Sequence, residues 1–257
     1  MKKYKFRIIA MLLLIFAFVP VMETEAKEYY WYCKRNAEHN QPQLDRDFVF
    51  IENAGGIYVD KSHSSMSDER VIYLTFDVGY ENGNVGKILD VLGEEGVRGS
   101  FFILGNVIDR TPELVQKMID GNHLVCNHTV NHKNLVGKSK EMVKEEVLGL
   151  EEKYRALTGR DLAKFFRPPE GTFDEQLLNE VSKLGYKTVF WSFAYADWDN
   201  DRQMNPEAAM EIIMKNLHNG EIMLLHPTGE TNARIMKDLI QKLKNEGYRF
   251  ATLDELK

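Results

Sequence analysis

Side chains that can do acid–base or metal chemistry stand at the ends of several short apolar runs in this 257-residue sequence. They are Asp77 in TFDVGYENG, His128 and His132 in NHTVNH, Arg167 in FRPPEG, Asp197 in AYADWD and His226 in LLHP. Carboxylates and imidazoles can exchange protons with a reacting group, and imidazoles can also hold a metal ion that activates water. The sequence therefore predicts a hydrolytic site, provided that the fold brings these residues to one place.

His128 and His132 are four residues apart, a spacing that puts two imidazoles on one side of a helical turn. Two neutral imidazoles suit zinc or a similar divalent ion. Because the pair follows an apolar run and is expected at the same rim as Asp77, we favour a metal site over capping or surface histidines. Structural or surface roles are predicted for the remaining histidines, namely His39, His63, His123 and His218.

The elements that must position these residues follow from apolar runs that alternate with amphipathic stretches from Val71 onward. Predicted strands cover residues 71–77, 99–105, 123–129, 164–168, 187–194, 221–226 and 248–253. These runs are almost continuously apolar, which predicts strands that are buried on both faces and paired in parallel. Predicted helices cover residues 84–95, 112–120, 139–159, 174–184, 206–218 and 233–246. Several of these helices end beside a glycine, a common helix stop.

Repeated strand–helix units of this length predict a βα-repeat fold. In such folds the loops at the carboxyl ends of parallel strands share one rim, so we expect the motif residues there. Seven strands can close into a barrel or lie as an open sheet, and the periodicity leaves both arrangements open.

The N-terminal 70 residues follow another pattern. A basic start precedes an apolar run over residues 8–22, which predicts a signal peptide or an N-terminal membrane anchor at residues 1–26. The rest of the chain is then expected to work outside the cytoplasmic membrane. Residues 27–70 are interpreted as an extension packed on the outside of a repeat domain at residues 71–257.

Composition excludes several classes of protein. The chain is 44% hydrophobic and 11% aromatic, which provides a buried core and argues against disorder. Its net charge is −6 and it has no basic stripe, so a nucleic-acid partner is not expected. Two cysteines, Cys33 and Cys126, are too few for a disulfide framework. The oligomeric state is left open.

The five ordered motifs resemble those of the polysaccharide deacetylases with the NodB homology domain, carbohydrate esterase family 4, over about residues 71–254. The motifs and the N-terminal WYCKRNAEHNQP are most similar to spore-type muramic acid deacetylases, which make muramic δ-lactam in cortex peptidoglycan. The resemblance implies a distorted (β/α) barrel of about seven parallel strands. It also implies a metal-assisted enzyme, with zinc as the expected ion, that removes acetyl from N-acetylmuramic acid in peptidoglycan glycan strands.

The resemblance implies a role for each motif residue. Asp77 corresponds to the base that takes a proton from the attacking water, and Arg167 to the partner that keeps this carboxylate ionised and oriented. Asp197 corresponds to the residue that tunes His226. His226 corresponds to the general acid that protonates the leaving amine.

The implied metal ligands are His128 and His132. Many family members have a second aspartate directly after the catalytic one, and that aspartate is a metal ligand. Here Val78 stands at this position and cannot bind a metal. We therefore expect weak metal binding and an unusual metal preference.

Trp198 and Tyr195 are candidate substrate-binding residues, because aromatic faces can stack on sugar rings. Two alternatives to the leading function stay open. One is a deacetylase that acts on N-acetylglucosamine, chitin-type or xylan substrates. The other is a non-catalytic glycan-binding wall protein, which the valine at position 78 makes conceivable.

Overall fold

The structure is a computed structural model that describes residues 27–34 and 38–256. The signal peptide or anchor predicted at residues 1–26 lies outside the described residues. Within the described ranges, none of the helices combines the length and the apolar character needed to cross a membrane.

Strands and helices alternate along the described chain. The strands are β1 (Tyr29–Tyr30), β2 (Arg70–Val78), β3 (Ser100–Ile103), β4 (Leu124–Asn127), β5 (Phe165–Phe166), β6 (Thr172–Phe173), β7 (Lys187–Thr188), β8 (Glu221–Leu225) and β9 (Tyr248–Ala251). The helices are α1 (Val49–Asn53), α2 (Asn84–Glu94), α3 (Gly105–Arg110), α4 (Pro112–Asp120), α5 (Lys140–Thr158), α6 (Glu175–Lys183), α7 (Pro206–Asn216) and α8 (Glu230–Asn245).

One parallel sheet forms the centre of the molecule. Its strand order is β7–β5–β4–β3–β2–β8, and β9 pairs with the first half of β2. Every pairing in this sheet is parallel. Because both faces of the sheet are covered, every residue of β2 from Val71 to Phe76 is buried. The continuous apolar run VIYLTF is the sequence signal of this burial.

The sheet curls until its two ends meet. The backbone N–H of Ser192 donates to the carbonyl of Ile222 at 3.0 Å, and the N–H of Leu224 donates to the carbonyl of Phe193 at 2.9 Å. These bonds join the segment after β7 to β8. The prediction of a distorted (β/α) barrel with parallel strands is therefore confirmed, and the open sheet is excluded.

The strand predicted at residues 187–194 is wrong in its length. Regular pairing ends at Thr188, and Val189 and Phe193 make only isolated bridges to Ile57 and Met223. The apolar run is largely buried, as expected. It crosses from the β7 side of the curled sheet to the β8 side, so it does not pair continuously with one strand. Apolar continuity reports burial and does not by itself report strand pairing.

Local signals place the helix α5 accurately. The Ser139 hydroxyl accepts a hydrogen bond from the N–H of Met142 at 3.2 Å, which is an N-cap. Gly159 ends the helix with a φ of 68°, a conformation that glycine adopts without strain. The apolar spacing on this helix predicts one inner face at Val143, Val147, Leu150, Tyr154 and Leu157; the first four are buried, but Leu157, in the last turn, is 43% exposed.

The chain before β2 packs along the barrel. Strand β1 pairs antiparallel with β6. The Trp31 ring stacks on Phe190 with centroids 4.6 Å apart, and its indole N–H donates to the carbonyl of Trp191 at 2.9 Å. Val59 bridges to Glu221 at the start of β8. These contacts attach the N-terminal segment to β6, to the residues that follow β7 and to the start of β8.

Candidate active site

The functional side chains stand where the strands end. His128 directly follows β4, Arg167 directly follows β5, and His226 directly follows β8. Asp77 is the penultimate residue of β2, and Asp197 lies in the segment after β7. Parallel strands bring these positions to one rim of the barrel, as the sequence predicted.

Asp77 is at the centre of this group. One carboxylate oxygen, Oδ1, accepts a hydrogen bond from Arg167 Nη1 at 2.8 Å. The other, Oδ2, lies 3.6 Å from His128 Nε2. Burial by itself raises the pKa of Asp77, but the charge and hydrogen bond of Arg167, together with the charge interactions of His128 and His226, outweigh it and hold the pKa of this carboxyl below its usual range. Asp77 is therefore ionised at neutral pH and can accept a proton.

Arg167 is fully buried, and its position is determined by several contacts. Nη2 donates to the hydroxyl of Thr75 at 3.0 Å and to the carbonyl of Phe190 at 3.1 Å. The guanidinium lies over the ring of Phe102, 4.1 Å from its centroid. Removal of one partner from such a buried, hydrogen-bonded ion pair typically costs about 3–5 kcal/mol. The arrangement keeps a positive charge next to Asp77.

The two histidines of NHTVNH approach each other closely. His128 Nδ1 donates to the carbonyl of Arg167 at 2.8 Å, and because a carbonyl only accepts, Nε2 presents a lone pair. Burial lowers the pKa of His128 to about 4, so the ring is neutral at physiological pH. The His132 ring meets it edge-on, with centroids 4.9 Å apart. A neutral imidazole whose other nitrogen is anchored to a carbonyl is a common metal ligand.

The expectation that this pair lies on a helical turn is wrong. The segment from His128 to His132 is not helical, and two of its residues have left-handed backbone conformations, Thr129 with a φ of 76° and His132 with a φ of 56°. Such conformations cost non-glycine residues about 1–3 kcal/mol each. The hydroxyl of Thr129 accepts the N–H of His132 at 2.9 Å and closes the loop.

The donor chemistry of the two imidazoles fits a divalent ion. Among the residues that the structure describes, no group of three or more His, Cys, Asp or Glu side chains is arranged to hold a metal. Val78 is fully buried and packs in the core cluster with Phe76 and Ile103, so it leaves the position after Asp77 without a ligand. Within the described part of the chain, the imidazoles at this rim that could hold an ion are those of His128 and His132, and Asp77 Oδ2 lies 3.6 Å from His128 Nε2.

His226 is held by Asp197 on the other side of the rim. Its Nδ1 donates to Oδ1 of Asp197 at 2.7 Å, and its backbone N–H donates to Oδ2 at 2.8 Å. Burial lowers the pKa of His226. The hydrogen bond to Asp197 and the negative charge of this carboxylate raise the pKa by more, so it lies above its usual value. Asp77 adds to this increase, which means that the two groups are close enough to interact through their charges.

The two aromatic candidates have different positions. Trp198 is 63% exposed and meets the His226 ring edge-on at 6.2 Å, so its face is accessible at the rim. Tyr195 is only 2% exposed, and its hydroxyl donates to Asn232 beneath the rim. The expectation that Tyr195 stacks on a sugar is therefore wrong, because an apolar neighbourhood buries its ring.

Asn232 is a site residue that sequence reasoning missed. Its Nδ2 donates to Oδ2 of Asp197 at 2.6 Å and to the carbonyl of His226 at 3.0 Å. Asn232 thus links the hydrogen-bonded pair of Asp197 and His226 to the start of α8. No local motif marks this residue, since its partners lie far away in the sequence or in a loop of irregular shape.

Comparisons with known proteins agree with this geometry. The family profile described as polysaccharide deacetylase matches residues 64–189. The sequence is 37% identical over 227 residues to the peptidoglycan-N-acetylmuramic acid deacetylase PdaA of Bacillus subtilis, covering 88% of this chain and 84% of that protein. The chain belongs to the polysaccharide deacetylase family. The structure of Bacillus subtilis PdaA, a family 4 carbohydrate esterase, superposes with a TM-score of 0.84 at 35% identity, covering 90% of this chain and 97% of that one.

Two further relatives mark the range of this family. A peptidoglycan-N-acetylglucosamine deacetylase of Bacillus cereus is 30% identical over 195 residues, covering 74% of this chain and 89% of that protein. A family 4 pseudoenzyme from Bacillus anthracis superposes with a TM-score of 0.68 at 25% identity, covering 74% of this chain and 66% of that one. The predicted family, fold and enzyme class are confirmed. Deacetylases of this family are metal-dependent in general.

Proposed function

We propose that this protein hydrolyses the N-acetyl group of N-acetylmuramic acid residues in peptidoglycan glycan strands. One observation carries the proposal. A carboxylate whose pKa is lowered, Asp77, and an imidazole whose pKa is raised, His226, share one rim with the two adjacent imidazole rings of NHTVNH. The similarity to Bacillus subtilis PdaA, which extends over most of the chain, supports N-acetylmuramic acid as the substrate.

Asp77 is proposed as the general base. Its Oδ2 takes a proton from the water that attacks the acetyl carbonyl, while Arg167 keeps Oδ1 engaged and the carboxylate ionised. A divalent ion held by His128 and His132, for which we propose zinc, would polarise the acetyl carbonyl and acidify water. The protein ligands are two instead of three because Val78 supplies none, so we propose that this ion is held weakly.

His226 is proposed as the general acid. Asp197 accepts its Nδ1–H, so the proton on Nε2 is the one that His226 can donate. It goes to the nitrogen that leaves when the C–N bond breaks. One proton leaves water at Asp77 and one reaches the amine from His226, so the reaction yields acetate and a free amine. Trp198 is proposed to pack against the sugar ring beside the acid.

The chemistry of the product supports a proposal about the cell-wall material on which the enzyme acts. A free amine on muramic acid stands next to the lactyl carboxyl group of the same sugar, and their condensation makes muramic δ-lactam. We therefore propose a role in the spore cortex during sporulation. The substrate lies outside the cytoplasmic membrane, which supports our interpretation of residues 1–26 as an export signal or membrane anchor preceding a deacetylase domain at residues 71–257.

The test is acetate release from defined glycans. Purified protein with zinc is incubated with glycan strands that lack peptide stems, and products are analysed by mass spectrometry for free amines on each sugar. We expect de-N-acetylated muramic acid, and no product from Asp77→Asn or His226→Ala. Deacetylation restricted to glucosamine residues or chitin-type oligomers would favour the alternative substrate class. Absence of acetate from every wall, chitin-type and xylan substrate would overturn the proposal.

A non-catalytic glycan-binding protein is the second candidate, and Val78 in place of a metal ligand is the observation that favours it. The structural similarity of this chain to the Bacillus anthracis pseudoenzyme also supports this candidate, because that protein has the same fold. This candidate predicts saturable peptidoglycan binding that Asp77→Asn and His226→Ala leave unchanged, with no product from the wild type. Product formation by the wild type excludes it.

A further inference from the structure

The loop that carries the two imidazoles is held in a shape it would not adopt alone. Thr129 and His132 both have left-handed backbones, and Thr129 is β-branched, for which this conformation is rare. Such backbones persist only where surrounding contacts determine them. The neighbouring contacts must therefore hold this loop, and they do so from helix α5.

Glu146 supplies most of these contacts from α5. Its carboxylate accepts the backbone N–H of Asn131 at 2.9 Å and the side-chain amide of Asn131 at 2.8 Å. Its own carbonyl accepts the N–H of Val130 at 3.1 Å, and Lys133 Nζ lies 3.1 Å from its Oε1. The side chain of Glu146 is buried, although a carboxylate is costly to bury unless it is fully paired.

The positions of these bonds matter for the imidazoles. Glu146 binds the residues between His128 and His132, so it acts on the part of the backbone that sets the distance between the two rings. A helix is rigid, and a buried carboxylate with several partners has one orientation. Glu146 thus ties the residues between the two histidines to α5, and the carbonyl of Val147 on the same helix accepts a hydrogen bond from Asn127, directly before His128.

We propose that Glu146 is a positioning residue that holds His128 and His132 in the arrangement that lets both bind one divalent ion. This inference rests on the proposed metal site. With only two protein ligands, the affinity depends strongly on how well the rings are placed beforehand, because no third ligand corrects a misplaced ring. Loss of a supporting partner around a metal site typically weakens affinity about 10–100-fold.

The test measures zinc binding directly. Zinc dissociation constants of the full chain are determined by calorimetric titration with Zn²⁺ alone, for the wild type, Glu146→Ala and Glu146→Gln. We expect Glu146→Ala to weaken binding about tenfold or more. Glu146→Gln keeps the size and one accepting oxygen, so it should recover part of the affinity. If the alanine variant does not fold, the glutamine variant still carries the comparison with the wild type.

Glu151 provides the matched control. It is a buried carboxylate on the same helix, and its partners Arg155, Lys164 and Tyr186 all lie outside residues 128–132, with Tyr186 reaching Asn127 only through a long 3.4 Å hydrogen bond. Glu151→Ala should lose thermal stability to a similar degree and keep the zinc dissociation constant within about twofold of the wild type, since the bonds from Glu146 to Val130 and Asn131 stay in place.

The outcomes separate this inference from the proposed function. The positioning role is overturned if the wild type binds zinc and Glu146→Ala binds it equally well. It is also overturned if Glu151→Ala weakens zinc binding as much as Glu146→Ala does. Either result leaves the proposed function intact. A wild type that binds no zinc overturns the metal site of the proposed function, and the positioning role with it.

Discussion

Asp197→Asn offers a sharp test of the acid–base assignment. In the wild type the Asp197 carboxylate accepts both the Nδ1–H and the backbone N–H of His226. These bonds go to different oxygens, and asparagine replaces one oxygen by an NH2 group, so one of the two N–H groups of His226 faces a donor, and the negative charge is lost. Burial, which by itself lowers the pKa of His226, is then no longer opposed by this partner.

The size of the effect follows from the lost bond. A hydrogen bond to a charged group contributes about 1.5–3 kcal/mol. Loss of this bond lowers the pKa of His226, and at about 1.4 kcal/mol per factor of ten it disfavours the protonated imidazole about 10–100-fold. A general acid must be protonated, so activity is lost as pH rises through this pKa. The alkaline limb of the kcat/KM profile should therefore move toward lower pH, and activity at a pH on that limb should fall about 10–100-fold.

The assay is the pH profile of acetate release from peptide-free glycan strands. Asp199→Asn is the control, because Asp199 lies in the same segment, is exposed and pairs with the exposed Arg202. Its profile should match that of the wild type. An alkaline limb of Asp197→Asn that coincides with the wild-type limb would refute the assignment of His226 as an acid tuned by Asp197.

Three further predictions concern stability and the metal. Burial raises the pKa of Glu221, so the stability contributed by its neutral form is present below about pH 4.5 and is lost as pH rises toward the folded-state pKa. Glu221→Gln should therefore gain stability relative to the wild type between pH 5 and pH 8 in thermal melts, and a constant difference would contradict this reasoning. Trp31→Ala removes the ring stacked on Phe190 and should cost about 3–5 kcal/mol in denaturant unfolding, whereas a loss below about 1 kcal/mol would show that the N-terminal segment adds little. His132→Ala should abolish calorimetric zinc binding while leaving the melting temperature nearly unchanged, and retained binding would exclude His132 as a ligand.

Local patterns were enough for much of the fold. The apolar run of β2 predicted a strand buried on both faces, and the structure buries it on both faces. The helix predicted over residues 139–159 is α5 with its two caps, Ser139 and Gly159, because a cap and a left-handed stop act on neighbouring backbone groups. Parallel strands place their carboxyl ends at one rim, so the strand ends also predicted which side chains share that rim.

Spacing misled where the backbone is not regular. A four-residue interval implies one face only on a helix, and the segment of His128 and His132 is a loop held by left-handed residues. The rings nevertheless meet, for a reason that spacing does not contain. Tyr195 has a side chain suited to sugars, but whether its ring faces solvent depends on what packs over it, and here it is buried.

The sequence by itself determined the family motifs, the alternation of strands and helices, and the residue types available for proton transfer. Only the tertiary structure decided their partners. Asp77 and Arg167 are 90 residues apart and meet because two parallel strands end together. Glu146 and Asn232 have ordinary positions on their helices and gain their roles from loops packed against them. Hydrogen-bond partners depend on distances in space, and a sequence records only distances along the chain.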